Sequence, residues 1–122
     1  MSYRKTITDA ELDIMKVLWK NGPSTSNALF ASIATAGNSK GTLKTLLTRL
    51  VQKGAVRREG INERHFMYYP AVSEEEYLKL QRRRLIDRMF DGSAKNLLLN
   101  LIREEHITPD DLEEMLGEIK EE

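Results

Sequence analysis

Apolar side chains recur at helical spacing through the first third of the chain. Leu12, Met15, Leu18 and Trp19 form a first stripe. Thr8 and Glu11 stand ahead of it in a capping-box pattern, and Asn21-Gly22-Pro23 ends it. A second, shorter stripe follows the Ser24-Thr25-Ser26 cluster, with Ala28, Leu29, Ile33 and Ala34 on one face. Ala36-Gly37-Asn38-Ser39 reads as a turn whose last residue caps a third helix from about Lys40 to Lys53. Leu43, Leu46, Leu47, Leu50 and Val51 are its buried stripe, and Gly54 its C-terminal cap. Beyond Gly54 the period shortens. Residues 55–59 and 65–69 are short, β-prone runs on either side of Gly60-Ile61-Asn62-Glu63-Arg64, the pattern of a hairpin. Three helices followed by a hairpin is the element order of a winged helix-turn-helix.

The remainder is helical and built differently. Ser73 with Glu76 opens a helix from about Glu74 to Phe90, and Asp91-Gly92-Ser93 breaks it. A dense apolar stretch follows, with Ala94, Leu97, Leu98, Leu99, Leu101 and Ile102. Thr108-Pro109-Asp110-Asp111 then starts a last helix with the stripe Leu112, Met115, Leu116 and Ile119. The expected fold is mainly α with a small β-hairpin wing: a winged-helix DNA-binding domain over residues 1–72 and a helical dimerisation arm over 73–122. About 50 residues rarely bury enough surface to be stable alone. Pairing with a second copy through Leu85, Ile86, Met89, Leu97, Leu98, Leu101, Leu112, Met115, Leu116 and Ile119 answers that deficit. Folding of the arm back onto its own N-terminal domain is the competing answer.

Composition sharpens this picture in two places. The 122 residues include no Cys, which excludes disulfides, thiolate metal sites and Cys nucleophiles. No apolar run approaches the length of a membrane span, and the N-terminus lacks the apolar stretch of a secretory signal, so a cytoplasmic protein is expected. Net charge is zero, but residues 1–70 hold 11 basic against 5 acidic side chains, and residues 71–122 hold 8 against 14. A basic half joined to an acidic half points to a polyanion meeting the first half alone. Chance segregation in a globular protein is the other reading of that imbalance.

The candidate chemistry lies on the third helix. Its non-apolar positions Ser39, Lys40, Thr42, Lys44, Thr45, Thr48 and Arg49 are all hydroxyls or cations, and no acid occurs between Ala28 and Glu59. A solvated face would ordinarily mix in Glu or Asp to pair its lysines. Hydroxyls and cations are the groups that meet phosphates and base edges. Arg64 beside the hairpin turn is a further DNA candidate. Arg57 and Arg58 are weaker ones because Glu59 and Glu63 oppose phosphate there. Tyr3-Arg4-Lys5 forms a short basic arm, either a DNA contact or unstructured. The Arg82-Arg83-Arg84 run fits a solvated face paired with Glu74–Glu76 and Asp87 better than it fits DNA. Tyr68, Tyr69, Trp19 and the methionines read as core. The two His, His65 and His106, lie in different segments, and no phosphate loop, dinucleotide fingerprint or zinc-protease motif is present. No catalytic residue, metal or cofactor is expected.

Three stretches carry a family resemblance: residues 7–19 (ITDAELDIMKVLW), residues 42–54 (TLKTLLTRLVQKG), and Tyr68-Tyr69-Pro70 with Ser73-Glu74-Glu75-Glu76-Tyr77. They resemble the penicillinase repressors (BlaI/MecI) and the related copper-responsive repressors (CopY). The resemblance implies a homodimer that occupies a two-fold operator of TACA/TGTA type, with Thr42, Lys44, Thr45, Thr48 and Arg49 facing double-stranded DNA. The family often carries Pro-Lys before the position of Thr42, where this chain has Lys40-Gly41. It also implies release by an inducing signal. In the β-lactam branch a sensor-linked protease cuts the arm after an Asn, ahead of a Phe. Asn100-Leu101 aligns with that bond, with Leu in place of Phe. The copper branch senses metal through C-terminal cysteines, which this chain lacks. A protein–protein adaptor that has left DNA is the alternative function.

Overall fold

The computed structural model describes residues 6–33 and 39–122. The expected basic arm at Tyr3–Lys5, Ala34 and most of the Ala36–Ser39 turn lie outside the described residues. Among the described residues nine elements follow in order: α1 (Asp9–Asn21), β1 (Ser24–Thr25), α2 (Ser26–Ile33), α3 (Lys40–Lys53), β2 (Val56–Gly60), β3 (Phe66–Pro70), α4 (Glu74–Met89), α5 (Ala94–Glu104) and α6 (Pro109–Lys120). The chain divides into two compact units, the first ending at Tyr77 and the second Leu78–Glu122.

The first unit is organised by how its helices begin and end. Thr8 accepts from the Glu11 N–H at 3.2 Å while Glu11 accepts from the Thr8 N–H at 2.8 Å, the reciprocal box that satisfies two orphan donors of α1. Ser39 caps α3 by accepting from the Thr42 N–H at 3.1 Å. Gly54 ends α3 in the left-handed conformation at φ 81°, which turns the chain directly into β2. Ile14, Met15 and Leu18 of α1, Leu29 of α2, and Leu43, Leu47 and Leu50 of α3 are essentially inaccessible to solvent and form one core.

The wing has three strands, one more than the hairpin pattern predicts. β3 lies between β1 and β2, antiparallel to both. The added strand is Ser24–Thr25, opposite Tyr68 and Met67, in a segment that the sequence assigns only to the start of α2. Both hairpin strands also sit one residue further along than the sequence pattern places them. Behind the wing, the Trp19 indole N–H donates to the Val72 carbonyl at 2.9 Å, and its ring lies 5.4 Å from that of Tyr77. Trp19 and Tyr77 thus fasten the chain leaving the sheet to α1.

The second unit is helical throughout. α4, whose first turn still belongs to the first unit, opens with the Ser73–Glu76 pair, in which the Glu76 N–H donates to the Ser73 hydroxyl at 3.1 Å. It closes where Asp91 and Gly92 adopt positive φ. Arg83 pairs with Asp87 one turn on, at 2.9 Å. Ser93 caps α5, and a Thr108–Asp111 box with Pro109 in the first turn starts α6. The Thr108 backbone N–H, and then its hydroxyl, hold the Asp111 carboxyl below its usual range. Among the described residues the helices of this unit do not pack closely along one another. Only Ile86 is buried from Leu78 onward.

Candidate nucleic-acid interface

The two faces of α3 separate cleanly. Leu43, Leu46, Leu47 and Leu50 point into the core, while Ser39, Lys40, Thr42, Lys44, Thr45, Thr48 and Arg49 are all exposed. The i, i+3, i+4, i+7 spacing of the leucines forces this division, because residues between them fall on the opposite side of the cylinder. The outer face therefore presents three cations and four hydroxyls with no carboxylate among them.

Local hydrogen bonds fix several of these groups. The Ser39 and Thr42 hydroxyls lie 3.0 Å apart at the helix start. Thr45 donates its hydroxyl proton to the Gly41 carbonyl at 3.1 Å, and Thr48 donates to that of Lys44 at 2.9 Å. The Lys40 ammonium sits 5.5 Å from the centre of the Phe30 ring, so α2 helps to place the first cation of α3.

One interaction, invisible to periodicity, ties this helix to α1. Lys53, in the last turn of α3, forms an ion pair with Glu11 and also donates to the Thr6 carbonyl at 2.8 Å. The Glu11 side chain is almost wholly buried. Burial alone raises its pKa. The Lys53 hydrogen bond, the Thr8 backbone N–H and the Lys53 charge outweigh that and hold it below the usual carboxylate range. The sequence marks Glu11 as a capping residue. Its partner 42 positions away follows only once α1 and α3 are packed.

In the wing, Arg57 lies 4.2 Å from the centre of the Tyr69 ring and pairs with Glu59. Arg58 lies 4.4 Å from that of Phe66. Both guanidinium groups thus lie over aromatic rings of the sheet. Arg64 is exposed in the turn, which Asn62 orders by accepting from the backbone N–H groups of Arg64 and His65 at 3.0 and 3.1 Å. Tyr68 is buried and Tyr69 half-buried.

In the second unit, Leu85, Met89, Leu98, Leu101, Met115, Leu116 and Ile119 are exposed, Leu97 and Leu112 are half-buried, and Ile86 is covered. Asn100 and Leu101 both lie exposed inside α5. Among the described residues no group of three His, Cys, Asp or Glu side chains is placed to hold a metal ion, and no helix is long and apolar enough to cross a membrane.

Fold and surface together define a winged-helix DNA-binding protein. The model of the penicillinase repressor family matches residues 7–121, and the chain belongs to that family of transcriptional repressors. It is 30% identical to the penicillinase repressor of Bacillus licheniformis over 118 residues, covering 94% of this chain and 90% of that one. It is 29% identical over 110 residues to the methicillin resistance regulatory protein MecI of Staphylococcus aureus strain N315, covering 89% of each. The solution structure of the DNA-binding domain of the repressor BlaI superposes with a TM-score of 0.53 at 36% identity, over 61% of this chain and 94% of that one. The solution structure of monomeric Bacillus licheniformis BlaI in complex with the blaP half-operator gives 0.53 at 35% identity, over 63% and 94%.

Proposed function

We propose that this repressor acts as a homodimer on a two-fold operator of TACA/TGTA type, with α3 of each protomer in the major groove. The observation that carries this reading is the outer face of α3, where Lys40, Lys44 and Arg49 stand among hydroxyls with no acid beside them. Lys44 and Arg49 neutralise phosphates, Thr42 lies against a base edge or a phosphate, and Thr45 and Thr48 lie against base edges. Arg64 extends the contact from the wing. The complex of BlaI with a half-operator supports one reading unit per half-site.

Dimerisation is supported by the second unit, whose apolar side chains stay open to solvent in a single chain. Release follows from the same arrangement. Cleavage between Asn100 and Leu101 by a sensor-linked protease would detach the end of α5 and all of α6, and with them Met115, Leu116 and Ile119. The bond lies inside a helix, so α5 must unwind locally before a protease can take it as an extended strand.

The test is fluorescence anisotropy of the protein against a TACA/TGTA palindrome and a scrambled duplex, each across a salt series. Preference for the palindrome with two protomers bound is expected. Lys44→Ala and Arg49→Ala should each flatten the slope of log affinity against log salt by about 0.9 per half-site for every phosphate left without its cation. An unchanged affinity and an unchanged slope in both variants would remove α3 from the interface.

A further inference from the structure

The turn of the wing fixes the tautomer of the histidine beside β3. The Asn62 Oδ1 accepts from the backbone N–H groups of Arg64 at 3.0 Å and His65 at 3.1 Å. Backbone N–H groups can only donate, so that atom is the amide oxygen. The same oxygen lies 2.9 Å from the His65 Nδ1. It has no proton to give, so Nδ1 carries one and donates it. Any further proton that the ring binds must go to Nε2. Among the described residues Nε2 has no hydrogen-bond partner, and His65 is exposed.

The ionisable side chains around the ring belong to the hairpin. On β2, Arg57 is paired with Glu59 and lies over the Tyr69 ring, and Arg58 lies over that of Phe66. β3 supplies only Tyr68 and Tyr69, and the turn supplies Glu63 and Arg64, both exposed. Arg64 and His65 thus stand side by side at the end of the wing. They differ in one respect. A guanidinium is always charged, whereas imidazole changes charge between about pH 5 and pH 8. The neutral ring turns a bare lone pair outward at Nε2, which a phosphate oxygen repels. The protonated ring turns out an N–H and a positive charge.

We propose that His65 is a proton-linked DNA contact: its Nε2 takes up a proton and donates a hydrogen bond to a backbone phosphate, so each half-site gains one cation as pH falls. This rests on the reading of the wing as a DNA contact and adds to it a residue and a pH dependence. Asn62 is the positioning residue, because its oxygen keeps Nδ1 engaged within the turn and leaves Nε2 as the edge that meets DNA. Binding favours the protonated ring, so affinity rises as pH falls.

Fluorescence anisotropy of the full-length protein on the palindrome, across salt at about pH 8 and about pH 5.5, reads this contact. The parent slope of log affinity against log salt should be steeper at the lower pH by about 0.9 per half-site. Affinity at fixed salt should rise by about twofold to fivefold per half-site. His65→Gln should keep the shallow slope at both pH values, and His65→Lys the steep one. His106→Asn, at a positive-φ position of the second unit that Asn tolerates, should retain the parent's pH dependence. A parent slope independent of pH, or a pH dependence kept in His65→Gln, would overturn the proposal while leaving the DNA reading intact. A parent chain that binds neither the palindrome nor a scrambled duplex at either pH would remove that reading, and the proposal with it.

A second measurement needs no DNA. In the imidazole nitrogen NMR spectrum of the free protein at about pH 8, the His65 Nδ1 should carry the proton and Nε2 should be bare. Asn62→Ala should release that preference. A neutral ring protonated at Nε2 would already present a donor, and would overturn the proton linkage.

Discussion

The two units of this repressor draw on the same side chains for opposite ends. Leucines of α3 are sealed in the core of the reading unit, whereas Leu98, Leu101 and Leu116 of the arm are roughly half open to solvent. Amphipathic helices make up most of both. The difference lies in what covers them: α3 is capped at both ends and backed by α1, α2 and β2, while among the described residues no helix of the arm packs closely along another. An apolar stripe therefore reports that a face must be covered without saying by which molecule. The reading unit finds its cover within one chain; in the dimeric reading proposed above, the arm finds it in a second.

Truncation should break this symmetry most visibly. Leu47→Ala, at a position with no exposure, should lower the stability of the reading unit by about 2–5 kcal/mol in urea unfolding. Leu116→Ala should change the unfolding of dilute, monomeric protein by no more than about 0.5 kcal/mol, and should instead raise the dimer dissociation constant. Equal destabilisation by both substitutions in dilute protein would mean that the arm has a core of its own.

The Lys53–Glu11 pair gives the next largest effect, because it lies where α1 and α3 meet. Lys53→Met leaves the buried Glu11 carboxylate without its counter-charge and should cost about 3 kcal/mol. Its pH dependence has a definite sign. The folded Glu11 pKa is depressed, so the folded state binds its proton less readily than the unfolded chain does. The stabilisation is therefore present at neutral pH and lost as pH falls through the folded value. The gap between parent and Glu11→Gln unfolding midpoints should be open at pH 7 and shrink as pH falls below the ordinary glutamate value of about 4.3. A gap independent of pH would assign the effect of that substitution to packing.

The helix caps sharpen the contrast on a smaller scale. Thr8→Ala removes a cap from a helix in the closed unit and should lower global stability by about 1 kcal/mol. Thr108→Ala removes the equivalent box from α6. It should reduce helicity in dilute protein without shifting the main unfolding transition of the reading unit.

How much of this was legible in the sequence depends on the range of each interaction. The bounds of α3 were plain because Ser39 and Gly54 signal through bonds three to five residues long, and its outer face followed from the leucine spacing. β1 was not legible. Two residues cannot show alternation, and Ser24 and Thr25 become a strand only through pairing with Tyr68 and Met67, more than 40 positions away. The shift of both hairpin strands by one residue has the same origin, since register is settled by cross-strand partners rather than by local propensity. The Lys53 partnership of Glu11 belongs here too: a lysine in a last helical turn looks like ordinary dipole compensation until α1 is set beside it.

If α3 reads DNA as proposed, its two backbone-bonded threonines narrow what that helix can recognise. Thr45 and Thr48 have each given their one hydroxyl proton to a carbonyl a turn earlier, so their oxygens retain only lone pairs. Against a base edge such an oxygen answers a donor, the amino group of adenine or cytosine, and offers nothing to the bare oxygen and nitrogen acceptors of guanine. A hydroxyl free to rotate is an ambiguous letter, and these two have been given one meaning before any DNA arrives.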